Sequence, residues 1–219
     1  MSRRPYLDFY EKYGISPVTN EVNLSTHFVQ RKALYYQLGI LNGSIRDRHV
    51  LEFGPGNGVN ALYTVSQEPK QYVLVEANPT GIGNCGNNLN RFYPGKNWQI
   101  IDSMIEEYSS EEKFDLVICE ALLPNQVNPE KMAKHCASFV KEGGLFVFTC
   151  HDMISTVSET LRCLPGVLFI KDVNHFDEKV PKLVNFYAPH LAYLKGMTRT
   201  KEDWVIDNIL NTEFWQDAP

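Results

Sequence analysis

Short strand-forming runs alternate with helical stretches from about residue 49 onward, and this alternation limits the possible folds more than any other feature. The runs are continuous apolar segments, which is typical of parallel strands that helices cover on both faces. The pattern therefore predicts an α/β protein with a mostly parallel sheet sandwiched by helices. The strand candidates are HVLEF, YVLVEA, NWQII, FDLVICEA and GLFVFTC.

Capping residues indicate where the intervening helices begin. Asn78 with Pro79 predicts one helix start, and Asn128 with Pro129 predicts another, which is expected to end at Gly143 and Gly144. Asp152 is a candidate cap for a third helix. The last helix is expected in TKEDWVIDNIL.

The residues before the first strand predict an N-terminal helical arm or lid over 1–45, followed by the main domain over 46–219. Within the arm, Leu24 to Gly39 has helical apolar spacing, with Ser25 as the expected cap. Such an arm is expected to cover a bound ligand and to build the pocket for a second substrate. The alternative is an amphipathic helix that packs on the sheet for stability.

The strongest local motif is VLEFGPGNG, residues 50–58, in which a strand runs into a glycine-rich turn and a helix. Glycines at 54, 56 and 58 allow a ligand to approach the backbone closely, and the helix start offers free N–H groups to a negative group. A turn that needs glycine for geometry alone is the alternative. Three alternating glycines exceed that need, so the motif favours binding of a nucleoside cofactor.

An acid follows at the position where such a cofactor places its ribose. Glu76 ends the second predicted strand, 18 residues beyond Gly58, and an acid there can accept hydrogen bonds from ribose hydroxyls. Alternatively, Glu76 is a solvated acid near a helix start.

Two nucleoside cofactors compete at this point. Residues 56–61, GNGVNA, match the GxGxxA pattern of nicotinamide-dependent enzymes. Glu52, however, stands two residues before the first glycine and makes the loop ExGxGxG.

This loop, with four further features in order over about residues 49–150, resembles the class I S-adenosylmethionine-dependent methyltransferases. The further features are the helix after EANP, Asp102 after the third strand, the fourth strand FDLVICEALLPN, and KEGGLFVFT. The resemblance implies a Rossmann-like fold and S-adenosylmethionine as cofactor. More distantly, the arm and the tail resemble an uncharacterised bacterial subgroup of these enzymes, some of them serving glycan or secondary metabolism.

For the methionine half of the cofactor, the resemblance implies contacts with Gly54, Gly56 and Gly58 and a position for Glu52 near the ammonium group. It places Glu120, at the end of the fourth strand, beside the sulfonium.

For the nucleoside half, the resemblance implies that Glu76 with Ala77 binds the ribose. Asp102 with Ser103 matches the place where the family contacts the adenine amino group. Asp102 as the cap of a helix that begins at Ser103 is the alternative.

Transfer to an oxygen acceptor calls for a general base, and histidine is the natural candidate because its ordinary pKa lies near working pH. His151, directly after the fifth strand, and His27, on the arm helix, are the candidate catalytic residues. His175 is a third candidate. Each is alternatively a structural or exposed histidine.

Charge and motif evidence excludes several classes of partner. The formal net charge is −5 and, apart from Arg3-Arg4, no basic run could neutralise several phosphates, so a nucleic-acid partner is not expected. The stretch EALLPN lacks the Asn/Asp-Pro-Pro-aromatic sequence of amide and base N-methyltransferases. Glu120 and Asp152 are only a partial metal set, so no metal is predicted.

The sequence predicts a cytoplasmic protein without a membrane partner. It contains no run of about 18 apolar residues, and its five cysteines are widely spaced without a CxxC pair. The expected acceptor is a small molecule or a glycan. Homodimerisation is left open.

The combined prediction is an S-adenosylmethionine-dependent methyltransferase that acts on a small molecule or sugar at oxygen. The alternatives are an NAD(P)-dependent oxidoreductase and a methyltransferase-like subunit that binds the cofactor without catalysis. Family members usually close their sheet with an antiparallel hairpin. Here either KLVNFYA supplies that strand or the chain is part of a longer protein.

Overall fold

The computed structural model describes residues 23–126, 128–194, 197 and 200–211. The chain forms two compact units, which meet in sequence between Cys150 and His151. The part of the predicted arm before Asn23 lies outside the described residues.

The first unit is built on five parallel strands in the order β3-β2-β1-β4-β5. All five strand candidates and the Rossmann-like α/β fold are confirmed. Strands β1 to β3 are added toward one side of the sheet, and the chain then returns past β1 to add β4 and β5 on the other side. In sheets of this kind a crevice opens where the direction of strand addition reverses, which here is between β1 and β4. The strands are β1 (His49–Phe53), β2 (Gln71–Glu76), β3 (Trp98–Asp102), β4 (Phe114–Cys119) and β5 (Val140–Phe148).

Four helices belong to the same unit: α1 (Leu24–Gln37), α2 (Val59–Ser66), α3 (Pro79–Phe92) and α4 (Pro129–Ala137). The predicted start of α3 is confirmed, with the Asn78 side chain accepting from the Thr80 N–H. The cap of α1 is Asn23, which accepts from the Thr26 N–H, so the prediction of Ser25 is wrong.

The predicted end of α4 at Gly143 and Gly144 is also wrong. The helix ends at Ala137, and the following residues enter the sheet. Gly144 lies within β5, where an added Cβ would stand 3.0 Å from the Phe114 and Asp115 carbonyl oxygens. Gly144 therefore permits close strand pairing rather than stopping a helix.

Two apolar layers cover the sheet, and successive residues of β1 point into opposite layers, with Val50 in one and Leu51 in the other. Helix α1 packs into the first layer through Tyr35, which is 2% exposed and meets the Tyr63 ring edge-on at 5.4 Å. Phe28 contacts the same ring at 5.7 Å.

The second unit is helical. It contains α5 (Met153–Phe169), α6 (Phe176–Phe186), α7 (Ala188–Tyr193) and α8 (Lys201–Val205), and α8 continues as a π-helix over Ile206–Leu210. The Asp152 cap of α5 is confirmed by its bonds from the Ile154 and Ser155 N–H groups.

The strand proposed for KLVNFYA is wrong, because these residues form the end of α6, the turn at Tyr187 and the first residue of α7. Apolar residues spaced three and four apart turn one helix face toward a core built around Trp204 and Ile209. They are Phe176, Val180, Leu183 and Val184.

None of the described helices is both long enough and apolar enough to cross a membrane.

Gly58→Ala is expected to destabilise the first unit. Gly58 has φ +77°, and a Cβ would stand 2.5 Å from Cys85 Sγ and 3.0 Å from Cys85 Cα. Strain and overpacking together should lower the free energy of unfolding by about 1–3 kcal/mol. Chemical denaturation measures the change.

The matched control is Gly83→Ala, in the middle of α3, where no atom of the part of the chain that the structure describes lies within 4 Å of the added Cβ. Helix propensity should make this variant more stable by about 0.5–1 kcal/mol. Equal effects of the two substitutions would contradict the packing argument.

Candidate active site

The carboxyl ends of the parallel strands bring most of the predicted site residues to one edge of the sheet. The glycine loop follows β1, Glu76 ends β2, Asp102 ends β3, and Glu120 follows β4. Glu76 and Asp102 are direct register partners.

The glycine loop contains both packed and open positions. Gly54 has φ +66°, and an added Cβ would stand 2.8 Å from Leu122 Cδ1, so the loop after β4 lies directly against it. Among residues 23–126 and the later described residues, no atom lies within 4 Å of the corresponding position at Gly56. The open space over Gly56 fits a ligand that approaches the backbone.

Glu76 joins the glycine loop to the turn after β2. Its Oε2 accepts from the Gly56 N–H at 2.9 Å, and its Oε1 accepts from the Ala77 and Asn78 N–H groups at 3.0 and 2.9 Å. Burial raises the pKa of this carboxyl, although the three N–H groups oppose the shift. The side chain therefore organises the site even without a ligand.

Asp102 is exposed at the end of β3, and the Ser103 N–H donates to the Glu76 carbonyl oxygen at 3.2 Å. The next helical turn begins at Ile105, and Met104 is its N-terminal flanking residue. The interpretation of Asp102 as the cap of a helix beginning at Ser103 is wrong. Its side chain is exposed next to Glu76 of the neighbouring strand, and its contact with the adenine stays a prediction.

Glu52 lies inside the protein rather than on the loop surface. It is 4% exposed and accepts a hydrogen bond from the Tyr72 hydroxyl. Burial raises its pKa to about 7, and the Tyr72 bond opposes this shift. Glu52 is thus an enclosed acid of β1, two residues before Gly54.

Sequence analysis missed an ion pair between Arg31 on α1 and Glu120. Arg31 Nη1 and Nη2 donate to Glu120 Oε2 and Oε1, each at 2.7 Å, and Nη2 also donates to the Tyr35 hydroxyl at 3.0 Å. Asn60 Nδ2 is 3.4 Å from Glu120 Oε2. Because Arg31 and Glu120 are 89 positions apart in the sequence, no local sequence pattern predicts the pair.

The backbone beside this pair is strained. Ala121, directly after Glu120, has φ +55°, a left-handed conformation that costs an alanine on the order of 1 kcal/mol. Such strain persists where surrounding contacts hold a residue in place, and it concentrates at functional sites.

The three histidine candidates have different surroundings. His27 is half-buried on α1, its ring interacts with the Val59 backbone, and its Nε2 is shielded from solvent without a hydrogen-bond partner among the described residues. Burial and then the Arg31 charge lower its pKa, so the ring is neutral at neutral pH. His151 and His175 are exposed residues of the helical unit.

Within the described residues there is no cluster of three or more His, Cys, Asp or Glu side chains that could hold a metal ion.

Glu52→Gln is expected to change how stability depends on pH. The folded protein binds the Glu52 proton up to about pH 7, whereas the unfolded chain releases it near pH 4.5, so the free energy of unfolding falls as pH rises between these values. Glutamine keeps an oxygen for the Tyr72 hydroxyl and removes this loss. The free energy of unfolding of the variant should be close to that of the wild type at pH 4.5 and should exceed it by on the order of 3 kcal/mol at pH 8.

Denaturant titrations at both pH values measure this gain. Glu142→Gln, at an exposed position of β5, is the matched control and should shift stability equally at both. A Glu52→Gln gain that does not depend on pH would contradict the assignment.

Comparisons with known proteins identify the family. The profile of a methyltransferase domain matches residues 27–187, which span both the sheet and the start of the helical unit. No curated protein matches the sequence.

Solved structures share the fold. Magnesium protoporphyrin IX methyltransferase from Synechocystis PCC 6803, with bound S-adenosylhomocysteine, has a TM-score of 0.57 at 16% identity over 82% of this chain and 85% of that one. The same enzyme with bound S-adenosylmethionine gives 0.55 at 12% identity, over 85% and 87% of the two chains. N-methyltransferase NodS from Bradyrhizobium japonicum WM9, with S-adenosylhomocysteine, gives 0.50 at 17% identity over 64% of this chain and 71% of that one.

The profile match covers well over half of the sequence, and the solved methyltransferase structures share the fold. The family favours the methyl donor over a nicotinamide as cofactor. The chain belongs to the methyltransferase-domain family and is a class I S-adenosylmethionine-dependent methyltransferase.

Proposed function

We propose that this enzyme methylates a hydroxyl oxygen of a small molecule or sugar, with His27 as the general base. The observation that carries the proposal is the buried His27 Nε2, which has no hydrogen-bond partner among the described residues, on the helix that also supplies Arg31 to the end of β4. The N-methyltransferase among the structural neighbours makes nitrogen the competing acceptor atom.

The residues at the sheet edge fit the cofactor. The open space over Gly56 suits the methionine part, and Glu76 and Asp102 are spaced by adjacent strands for the ribose and the adenine. The cofactor supplies a methyl group on a positively charged sulfur, which a nucleophile can displace in line.

The order of the strands indicates how the cofactor is oriented along the edge of the sheet. With the nucleoside over β2 and β3, the reactive sulfur must lie on the other side of the glycine loop, toward β4, because β1 separates β2 from β4. The acceptor then meets the methyl group near Glu120, on the side where Arg31 of α1 reaches the sheet. This placement supports α1 as part of the acceptor pocket.

His27 is suited to remove a proton because its ring is already neutral. Burial and the Arg31 charge lower its pKa, so Nε2 offers a free lone pair near neutral pH. Nε2 is shielded from solvent, so an acceptor hydroxyl reaches it only when neighbouring side chains move. A hydroxyl needs such a base more than an amine does, and this favours oxygen as the acceptor atom.

We place the enzyme in the cytoplasm. All five cysteines are free thiols, three of them buried in the core, which suits a reducing compartment. The net charge of −5 disfavours a polyanionic acceptor.

Glu76→Ala is expected to weaken the binding of S-adenosylmethionine and S-adenosylhomocysteine by about 1–3 kcal/mol, because it removes the acceptor of the ribose hydroxyls and frees the Gly56 N–H. Calorimetry measures both affinities. Glu142→Ala, at the opposite edge of the sheet, should bind like the wild type. Unchanged affinity in Glu76→Ala would remove this residue from the site, and wild-type binding of NAD alone would refute the proposed cofactor.

His27→Gln is expected to lower methyl transfer to a hydroxyl acceptor by about 10²–10⁴-fold without weakening cofactor binding. The assay follows release of S-adenosylhomocysteine over a library of hydroxyl and amine acceptors, with mass spectrometry of the product to identify the methylated atom. His175→Gln, at an exposed position, is the matched control. Turnover of amines alone, or equal rates for the two variants, would contradict the proposal.

A further inference from the structure

The Arg31–Glu120 pair is built more firmly than a surface ion pair. Both carboxylate oxygens accept from the guanidinium at 2.7 Å, and the side chains are only 8% and 17% exposed. Arg31 is held in turn by the Tyr35 hydroxyl, and Tyr35 is packed in the core. The carboxylate therefore has one fixed orientation.

The pair stands at the reactive end of the cofactor site. Glu120 directly follows β4, and the Leu122 side chain two residues later lies against Gly54 of the glycine loop. This location rests on the proposed function, because it is the nucleoside over β2 and β3 that directs the sulfur toward β4.

Glu120 is the more exposed partner of the pair, with 17% of its side chain exposed against 8% for Arg31. Oε2 accepts from Arg31 and lies near Asn60, whereas Oε1 accepts only from Arg31 among the hydrogen bonds of the described residues. A carboxylate oxygen has room for more than one such interaction. Glu120 therefore keeps acceptor capacity at Oε1, at the end of β4.

The substrate and product forms of the cofactor differ in charge at this point. The sulfur of S-adenosylmethionine carries a positive charge, and the sulfur of S-adenosylhomocysteine is neutral. We propose that Glu120, held in position by Arg31, makes the site prefer the charged methyl donor over the neutral product. This preference promotes exchange of product for fresh donor after each turnover.

The test is the ratio of two dissociation constants, S-adenosylhomocysteine over S-adenosylmethionine, measured by calorimetry. Glu120→Gln should lower this ratio about tenfold, because it weakens the binding of S-adenosylmethionine. The affinity for S-adenosylhomocysteine should stay within about twofold of the wild-type value. Glu142→Gln removes the same charge from an exposed site on β5 and should leave the ratio unchanged.

Arg31→Lys tests the positioning role. A lysine keeps the charge but cannot engage both oxygens side by side, so the ratio should fall between those of the wild type and Glu120→Gln. A ratio equal to that of the wild type would show that Arg31 does not position Glu120.

If the Arg31–Glu120 pair is only structural, its loss weakens the binding of both ligands equally and leaves the ratio of the two dissociation constants unchanged. That outcome overturns the inference, whereas failure of the wild type to bind either ligand overturns the proposed function instead. If Glu120→Gln does not fold by circular dichroism, Arg31→Met with Glu120→Gln removes both buried charges together. The ratio should then fall in the same direction, and an unchanged ratio in the folded double variant refutes the proposal.

Discussion

The carboxylate of Glu76 is the interaction on which the arrangement of the site depends. It accepts N–H groups from the loop after β1 and from the turn after β2, and so it ties two strand ends together. Gly81 packs closely beside it, since an added Cβ would stand 3.3 Å from the Glu76 carboxyl carbon and would press on this carboxylate. One acid therefore serves both the architecture of the sheet edge and the proposed recognition of ribose.

A second acid shows that polar groups beneath the site carry a cost in stability. Glu52 is fully enclosed, and Tyr72 is its hydrogen-bond donor. Its raised pKa means that ionising it opposes folding. Glu52 and the left-handed backbone at Ala121 are therefore two features near the glycine loop that lower the stability of the fold. Local departures from ordinary stability rules are concentrated at functional sites in this way.

The sheet could be predicted from the sequence because its strands are continuous apolar runs whose ends are marked by glycine, proline and asparagine. The location of the site acids could be predicted as well, because the carboxyl ends of parallel strands lie at the same edge of the sheet. The segment KLVNFYA was misread because its apolar residues suit either a short strand or a helix, and only packing on Trp204 decides between them. The Arg31–Glu120 pair was invisible because it depends on how α1 lies across the sheet.

The contact between Gly54 and Leu122 changes how the glycine motif itself is understood. All three glycines of the motif have a positive φ, so the backbone conformation alone favours glycine at each. Side chains restrict two of them further, Gly54 through Leu122 and Gly58 through Cys85, whereas none of the described residues lies within 4 Å of an added Cβ at Gly56. A smaller residue at 122 would therefore relieve the contact at 54 without removing the backbone strain, so in redesign these two positions cannot simply exchange volume.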